Sequence, residues 1–315
     1  MRRAKAALLV AFLVSAPTIT SAQSLRGAQE WLPPGSLSLD ALSLHPREAL
    51  EGGEAPSFYV ALGRLAFRSP DILGGTARKA GLSCHACHTN GYSNTDFFIP
   101  GLSDRPGHVD VTHSFWNVRA DDRRDNPLAI PSLRGVKTKE RLGQDLGATS
   151  LREFTRRVIV VDFAGDEPEP VLLDALVAYQ EALRPVPLVD EPVSLEQDMR
   201  DILHHLDALA LPLSEEDAAL AARMATMIRG QLGFIDERFP DDEAMRDVHA
   251  ILADWSRALA NIADLAENDD WPAARSALAT LRTAVADPPP VFADQAPLSL
   301  YNPIRLKAWL SKPIR

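Results

Sequence analysis

Apolar positions recur at helical spacing through most of the chain. Phe58, Leu62, Leu65 and Ala66 predict a short amphipathic helix over 58–67, stopped by Ser69-Pro70. Ser150-Leu151-Arg152-Glu153 is a capping-box pattern that opens a helix running to about Ile159. After a loop over 162–170, Val171, Leu172, Ala175, Leu176 and Tyr179 place an apolar stripe on another helix, ended by Arg184-Pro185-Val186-Pro187. Four longer helical stretches follow, each with its own start signal: Ser194 before 195–209, Ser214 before 215–239, Asp241 before 243–267 and Asp270 before 272–286. Their short connections favour antiparallel neighbours. The stripes Leu220, Met224, Met227, Ile228 and Val248, Ile251, Leu252, Trp255, Leu259, Ile262 suit a four-helix bundle core. The fold class is therefore all-α.

The polar and breaker-rich stretches divide the chain. Residues 23–55, with Pro33-Pro34-Gly35 and Gly52-Gly53, read as an extended arm, and residues 89–149 as a long irregular wrap. The proline run ending at Asp190-Glu191-Pro192 marks the boundary between an N-terminal domain over 56–190 and the bundle over 191–290. Pro288-Pro289-Pro290 ends the bundle, and 291–315 is expected to lie over the surface as a tail.

Composition changes this picture at the start of the chain. Met1-Arg2-Arg3-Ala4-Lys5, the apolar run Ala6–Val14 and the small-residue ending Thr20-Ser21-Ala22 form a secretory signal-peptide pattern over 1–22, too short in its apolar part for a spanning helix. Without it, 30 basic residues stand against 43 acidic ones, a net charge near -13 compared with -10 for the whole chain of 315 residues. That sign excludes a nucleic-acid or anionic-membrane surface and suits steering of a basic redox partner. An exported, periplasmic chain would use cysteines for disulfides, yet the two here, Cys84 and Cys87, are separated by only two residues.

Cys84-His85-Ala86-Cys87-His88 fits C-x-x-C-H, the attachment signature of c-type haem. Two thiols on a tight helical turn can each add to a vinyl group of one porphyrin while the adjacent His88 faces the iron. The alternatives are a thioredoxin-like redox pair, which lacks a βαβ context, and half of a zinc site, which lacks a second ligand pair. His85, between the thiols, is expected to face solvent.

With this motif the chain resembles the bacterial di-haem cytochrome c peroxidases and their methylamine-utilisation-type relatives. The resemblance rests on Leu62-Gly63-Arg64-Leu65-Ala66-Phe67 before the cysteine motif and on Ile130-Pro131-Ser132-Leu133-Arg134-Gly135-Val136 after it. Ser150-Leu151-Arg152-Glu153-Phe154, Phe163-Ala164-Gly165 and Leu173–Tyr179 are similar to the elements that close one haem domain. It covers about residues 57–184 and implies a cytochrome c-like haem domain with one covalently attached haem c. Three departures stand out. A turn that in many relatives carries a histidine reads Leu142-Gly143-Gln144-Asp145, the helix Phe154–Ile159 offers neither methionine nor tyrosine, and there is no second C-x-x-C-H.

Function then turns on the iron position opposite His88. A second strong ligand makes an electron carrier, and an open position allows peroxide chemistry. Met199, Met224, Met227 and Met245 all lie in the predicted bundle and read as core. His108 and His113 lie in the wrap and are the candidate distal ligands, while His204, His205 and His249 show no ligand spacing. Arg134 is a candidate to pair a haem propionate, because its planar fork suits a carboxylate. Arg141 and Gln144 occupy the turn where relatives place distal groups, and Tyr92 and Trp116 are candidate packing aromatics. Three functions remain: a mono-haem one-electron carrier serving another cytochrome or a periplasmic dehydrogenase, a peroxidase-like enzyme with an open distal face, and an assembly protein acting through its bundle.

Overall fold

The computed structural model describes residues 31–33, 39–53, 56–143 and 150–311. The signal-peptide segment and Gln144 lie outside them. The described chain is mostly helical with very short strands, as an all-α fold requires.

The arm contributes helix α1 (Leu39–Ser43) and strand β1 (Leu44–Pro46). Helix α2 (Phe58–Phe67) takes the bounds its apolar spacing predicts, and Ser57 Oγ accepts the Val60 N–H at its start. Two short helices follow, α3 (Gly75–Lys79) and α4 (Cys84–Cys87). The irregular wrap is pinned by strand β2 (His108–Val109) against β3 (Leu128–Ala129), with His108 opposite Ala129. Helix α5 (Leu151–Arg157) begins at Ser150, whose Oγ accepts the Glu153 N–H at 3.1 Å. Past Arg157 the chain loosens into a π turn over Val158–Asp162 before helix α6 (Pro170–Ala182). Strand β4 (Asp190–Pro192) then pairs antiparallel with β1, so the proline-rich connection is tied down by the arm.

Helices α7 (Leu195–Ser214), α8 (Ala218–Asp236), α9 (Arg246–Glu267) and α10 (Trp271–Ala286) form a closed ring in which each packs on the next and α10 returns to α7. All four methionines described in this half are buried in its core. Two start signals are displaced, and ahead of α9 it is Asp242 rather than Asp241 whose side chain caps, accepting the Met245 N–H at 3.2 Å. Ser214 is the last residue of α7, and Asp217 caps α8 by accepting the Leu220 N–H at 3.0 Å. Pro212 deprives α7 of one backbone donor, but Leu209, Pro212 and Leu213 are all buried and that burial carries the helix past its expected end.

The segment beyond the bundle is more than a surface strap. It forms helices α11 (Val291–Gln295) and α12 (Pro303–Leu310). Phe292 stacks on Trp255 at 5.3 Å between ring centroids, and Leu300 and Leu306 close a small core with Leu42 of α1. Aromatic and leucine positions too sparse to show a helical period supply that anchorage.

Helix α2 is the hub. Its residues Ala61–Phe67 are all buried, Gly63 and Arg64 included, because α6 covers one side and α7 and α8 the other. Gly63 is required at the α2–α6 crossing, where a Cβ would sit 1.9 Å from the Ala175 carbonyl oxygen. A single hydrophobic core runs from Leu62 and Tyr179 through Leu206 and Met224 to Leu281, unbroken at 185–192. Among the described residues no helix is long and apolar enough to cross a membrane.

Candidate functional site

Both cysteines lie on the single helical turn of α4, and His88 is its C-cap, with its N–H donating to the Cys84 carbonyl at 2.9 Å. A one-turn helix has no lateral stability of its own. The segment after it supplies the hold, since Asn94 donates to the Cys87 carbonyl through its N–H at 2.9 Å and to the Ala86 carbonyl through Nδ2 at 2.8 Å. Gly91 N–H donates to the His88 carbonyl at 3.0 Å and closes the turn.

The Ile130–Val136 segment lies directly against this turn. His88 Nδ1 is 2.9 Å from the Pro131 carbonyl oxygen. A carbonyl can only accept, so Nδ1 carries the proton and the lone pair of the neutral ring sits on Nε2. Burial outweighs that hydrogen bond and pulls the His88 imidazole down to about 4, so the neutral form is the one present at pH 7. Leu133 N–H donates to the Gly91 carbonyl at 2.9 Å, and Ser132 Oγ donates to the same oxygen at 3.2 Å.

Burial pushes the Cys84 thiol up to about 12, and burial with the neighbouring Cys84 raises Cys87 as well. Both stay protonated at neutral pH. Among the described residues no cluster of three or more His, Cys, Asp or Glu is placed to hold a bare metal ion, so a zinc reading finds no second pair of ligands there.

Arg134 is 7% exposed, and none of its three guanidinium nitrogens has a hydrogen-bond partner. Its guanidinium carbon lies 4.2 Å from the centre of the Tyr92 ring, and the Tyr92 hydroxyl is anchored on the Val186 and Pro187 carbonyls. A buried guanidinium on an aromatic face with its donors unused has the chemistry to pair an acidic group.

The candidate distal histidines are placed differently. His108 Nε2 accepts from Arg105 Nε at 3.0 Å, and its Nδ1 lies 3.2 Å from Asp104 without a hydrogen bond. His113 Nδ1 accepts the Phe115 N–H at 3.0 Å in an exposed loop. Neither is joined to the Cys84–His88 turn by a hydrogen bond among the described residues. Arg141 is exposed, and Trp116 is buried with its indole N–H donating to the Asp110 carbonyl at 2.8 Å.

His85 corrects an expectation. It turns inward, edge-on to His45 with 6.3 Å between ring centroids, and its Nδ1 accepts the Asn90 N–H at 3.4 Å. The reason is a buried charge cluster beneath α4 that periodicity could not show. Arg64 ion-pairs with Glu48 at 2.7 Å and Asp201 at 2.6 Å, and Arg68 pairs with the same two carboxylates at 3.4 and 2.9 Å. Burial would raise the Asp201 carboxyl, but Arg64 and Arg68 together hold it well below the ordinary range. Burial likewise opposes the charge of Arg64, and Glu48 and Asp201 overcome it. Burial together with Arg68 and Arg64 drives His85 far down, and burial together with Arg238 and Arg68 takes His45 to about 4, so both rings are neutral. Arg64 belongs to a recognisable segment, but Glu48, Asp201 and Asn90 carry no sequence signal that joins them to it.

A cavity of about 590 Å³ lies at one end of the bundle, lined by Asp236, Asp241, His249 and Trp309 among others, and shares no residue with this site. No family model, curated protein or solved structure matches the chain.

Proposed function

We propose that the chain is an exported, periplasmic mono-haem c-type cytochrome that transfers electrons one at a time, with residues 56–190 as its cytochrome c-like part. The observation that carries this reading is the His88 hydrogen bond. A metal-ligating histidine donates its second nitrogen to a fixed acceptor, and Nδ1 with the Pro131 carbonyl at 2.9 Å does so, leaving Nε2 to ligate. The donor set fits a haem: two half-buried cysteines on one turn, a neutral imidazole next to them, and an unpaired buried guanidinium on the segment that holds that imidazole. Cys84 and Cys87 would attach the porphyrin, His88 would be the proximal ligand and Arg134 would pair a propionate. A haem held there supplies a one-electron ferric/ferrous couple. The chain's own part is to keep His88 in one tautomer, to neutralise a propionate and to present the haem edge to a redox partner, another cytochrome or a periplasmic dehydrogenase. With 30 basic against 43 acidic residues once 1–22 are removed, the acidic balance favours a basic partner face.

Expression in a cytochrome c-maturing periplasm tests this. The expected product retains haem through denaturing electrophoresis, and its oxidised and reduced spectra are low-spin and unchanged by cyanide or peroxide. A high-spin spectrum that shifts with either ligand replaces the carrier with the peroxidase-like reading, and a chain without covalent haem overturns both.

A further inference from the structure

We propose that Asp201, on bundle helix α7, is a positioning residue for the turn that carries His88, acting through Arg68 and Asn90. The inference rests on the haem reading for its consequence, and on contacts independent of that reading for its geometry.

Asp201 Oδ2 accepts from Arg68 Nη1 at 2.9 Å, and Arg68 Nη2 donates to Asn90 Oδ1 at 2.7 Å. Asn90 Nδ2 then donates to the Pro46 carbonyl at 2.8 Å. Two hydrogen bonds thus lead from the bundle to a residue two positions after His88. Asn90 is 8% exposed and left-handed, at φ 51 and ψ 33, so its backbone reverses the chain immediately beyond the ligand. The carboxamide, gripped by Arg68 on one side and Pro46 on the other, fixes the direction of that reversal. The reversal in turn places Gly91, whose N–H closes on the His88 carbonyl and whose own carbonyl receives Ser132 and Leu133.

Charge balance explains why Asp201 controls the grip. Two guanidiniums share two carboxylates, and Arg68 already lies 3.4 Å from Glu48. With Asp201 neutral, Glu48 is the one carboxylate still ion-paired with either arginine among the described residues, and the Arg68 fork loses the charged Nη1 partner that holds its Nη2 on Asn90. Arg64, Asp201 and Asn90 are all buried, so water cannot replace the lost partner cheaply.

The test uses the full-length haem-free chain (C84S/C87S) and the haem-loaded protein side by side. Amide exchange is read at Gly91, Tyr92 and Asn94, with the α10 amides as internal reference. Asp201→Asn is expected to speed the three turn amides roughly tenfold while leaving α10 unchanged. Asn90→Gly keeps the left-handed backbone without strain and removes the same link, so it should do likewise, and the double variant should add nothing further. Asp207→Asn, on the same helix but at an exposed pair with Arg282, should change nothing. In the haem-loaded protein, Asp201→Asn and Asn90→Gly should shift the midpoint potential in the same direction, and Asp207→Asn should not. Unchanged turn amides in either variant, equal acceleration of α10, or full additivity in the double variant overturns the proposal. If Asp201→Asn does not fold, Arg68→Lys, which removes the fork between Asp201 and Asn90, takes its place in the same comparison and must speed the three turn amides. A wild-type chain that acquires no haem defeats the haem reading, and the exchange data still judge the positioning role.

Discussion

Arg134 and His205 are both buried polar side chains without hydrogen-bond partners, and they call for opposite explanations. Arg134 stays charged, stacks on Tyr92 and stands on the segment that holds His88, so its unused donors suit an acidic guest. Without such a guest, Arg134→Met should raise stability by about 1–3 kcal/mol by removing an unsatisfied buried group. With a haem bound as proposed, the same substitution should lower it, because a propionate would lose its partner. Thermal melts of both forms check the reversal of sign. His205 is 1% exposed on α7, and burial, aided by Arg64, pulls its imidazole down to about 3 against the opposing pull of Asp201. Between that value and the ordinary 6.5, the unfolded chain binds a proton that the folded chain does not. Stability is therefore full above pH 6.5 and falls with acid, by about 2 kcal/mol at pH 5 from this residue. His205→Leu should flatten that part of the slope, as urea midpoints at pH 5 and pH 7 would show. The depressed carboxyl of Asp201 works in the same direction at still lower pH.

At the scale of elements, the hub helix α2 shows which features the sequence reveals and which it withholds. Its apolar spacing and its Ser57 cap give its bounds, Phe58–Phe67, because a helix is a local structure with a local signature. The same holds for α5 behind Ser150 and for α10 behind Asp270, whose Oδ1 accepts the Ala273 N–H. The C-x-x-C-H turn and the Ile130–Val136 segment are also legible one by one. Their union through the Pro131 carbonyl is not, because a backbone acceptor has no residue identity to read. Nor is the inward turn of His85 legible, since the His45 ring it meets edge-on lies 40 residues earlier in the arm and nothing in the sequence joins the two. Gly63 is a sharper case. It looks like a mild helix flaw, yet it lets α2 and α6 approach until a Cβ would strike the Ala175 carbonyl and the Tyr179 Cβ. Gly63→Ala cannot relieve that contact by turning a side chain, because the obstacle is backbone. It should cost about 3 kcal/mol and push the Arg64 side of α2 toward α7. Denaturant titration measures the loss, and weaker protection of the Tyr179 and Gly63 amides would place it at the crossing.

Across the whole molecule, two halves that read as separate on the page share one interior. The hydrophobic core passes from α2 and α6 into α7 and α8 without a break, and the arm strand β1 pairs with β4 across the expected boundary. More decisive is the charge cluster, which takes Arg64 and Arg68 from one half and Asp201 from the other. A chain of residues 39–190 keeps Glu48 but must hold two arginines, one of them fully within the fold, with a single carboxylate between them. Breaking a buried pair by removing one partner costs about 3–5 kcal/mol, and the face of α2 that α7 and α8 cover would be exposed as well. Those losses approach the roughly 5–15 kcal/mol that holds an ordinary domain together. The fragment 39–190 is therefore expected to lack a cooperative unfolding transition, whereas the full chain melts as one unit. Co-expressing 39–190 with 191–311 as separate chains restores Asp201 and the covering helices without restoring the covalent link. Assembly of the two pieces into a folded complex, with the Asp201→Asn version of the second piece failing to assemble, is the expected outcome. A fragment 39–190 that folds and melts cooperatively alone would mean that the buried cluster is dispensable to the haem half and that the two halves are independent after all.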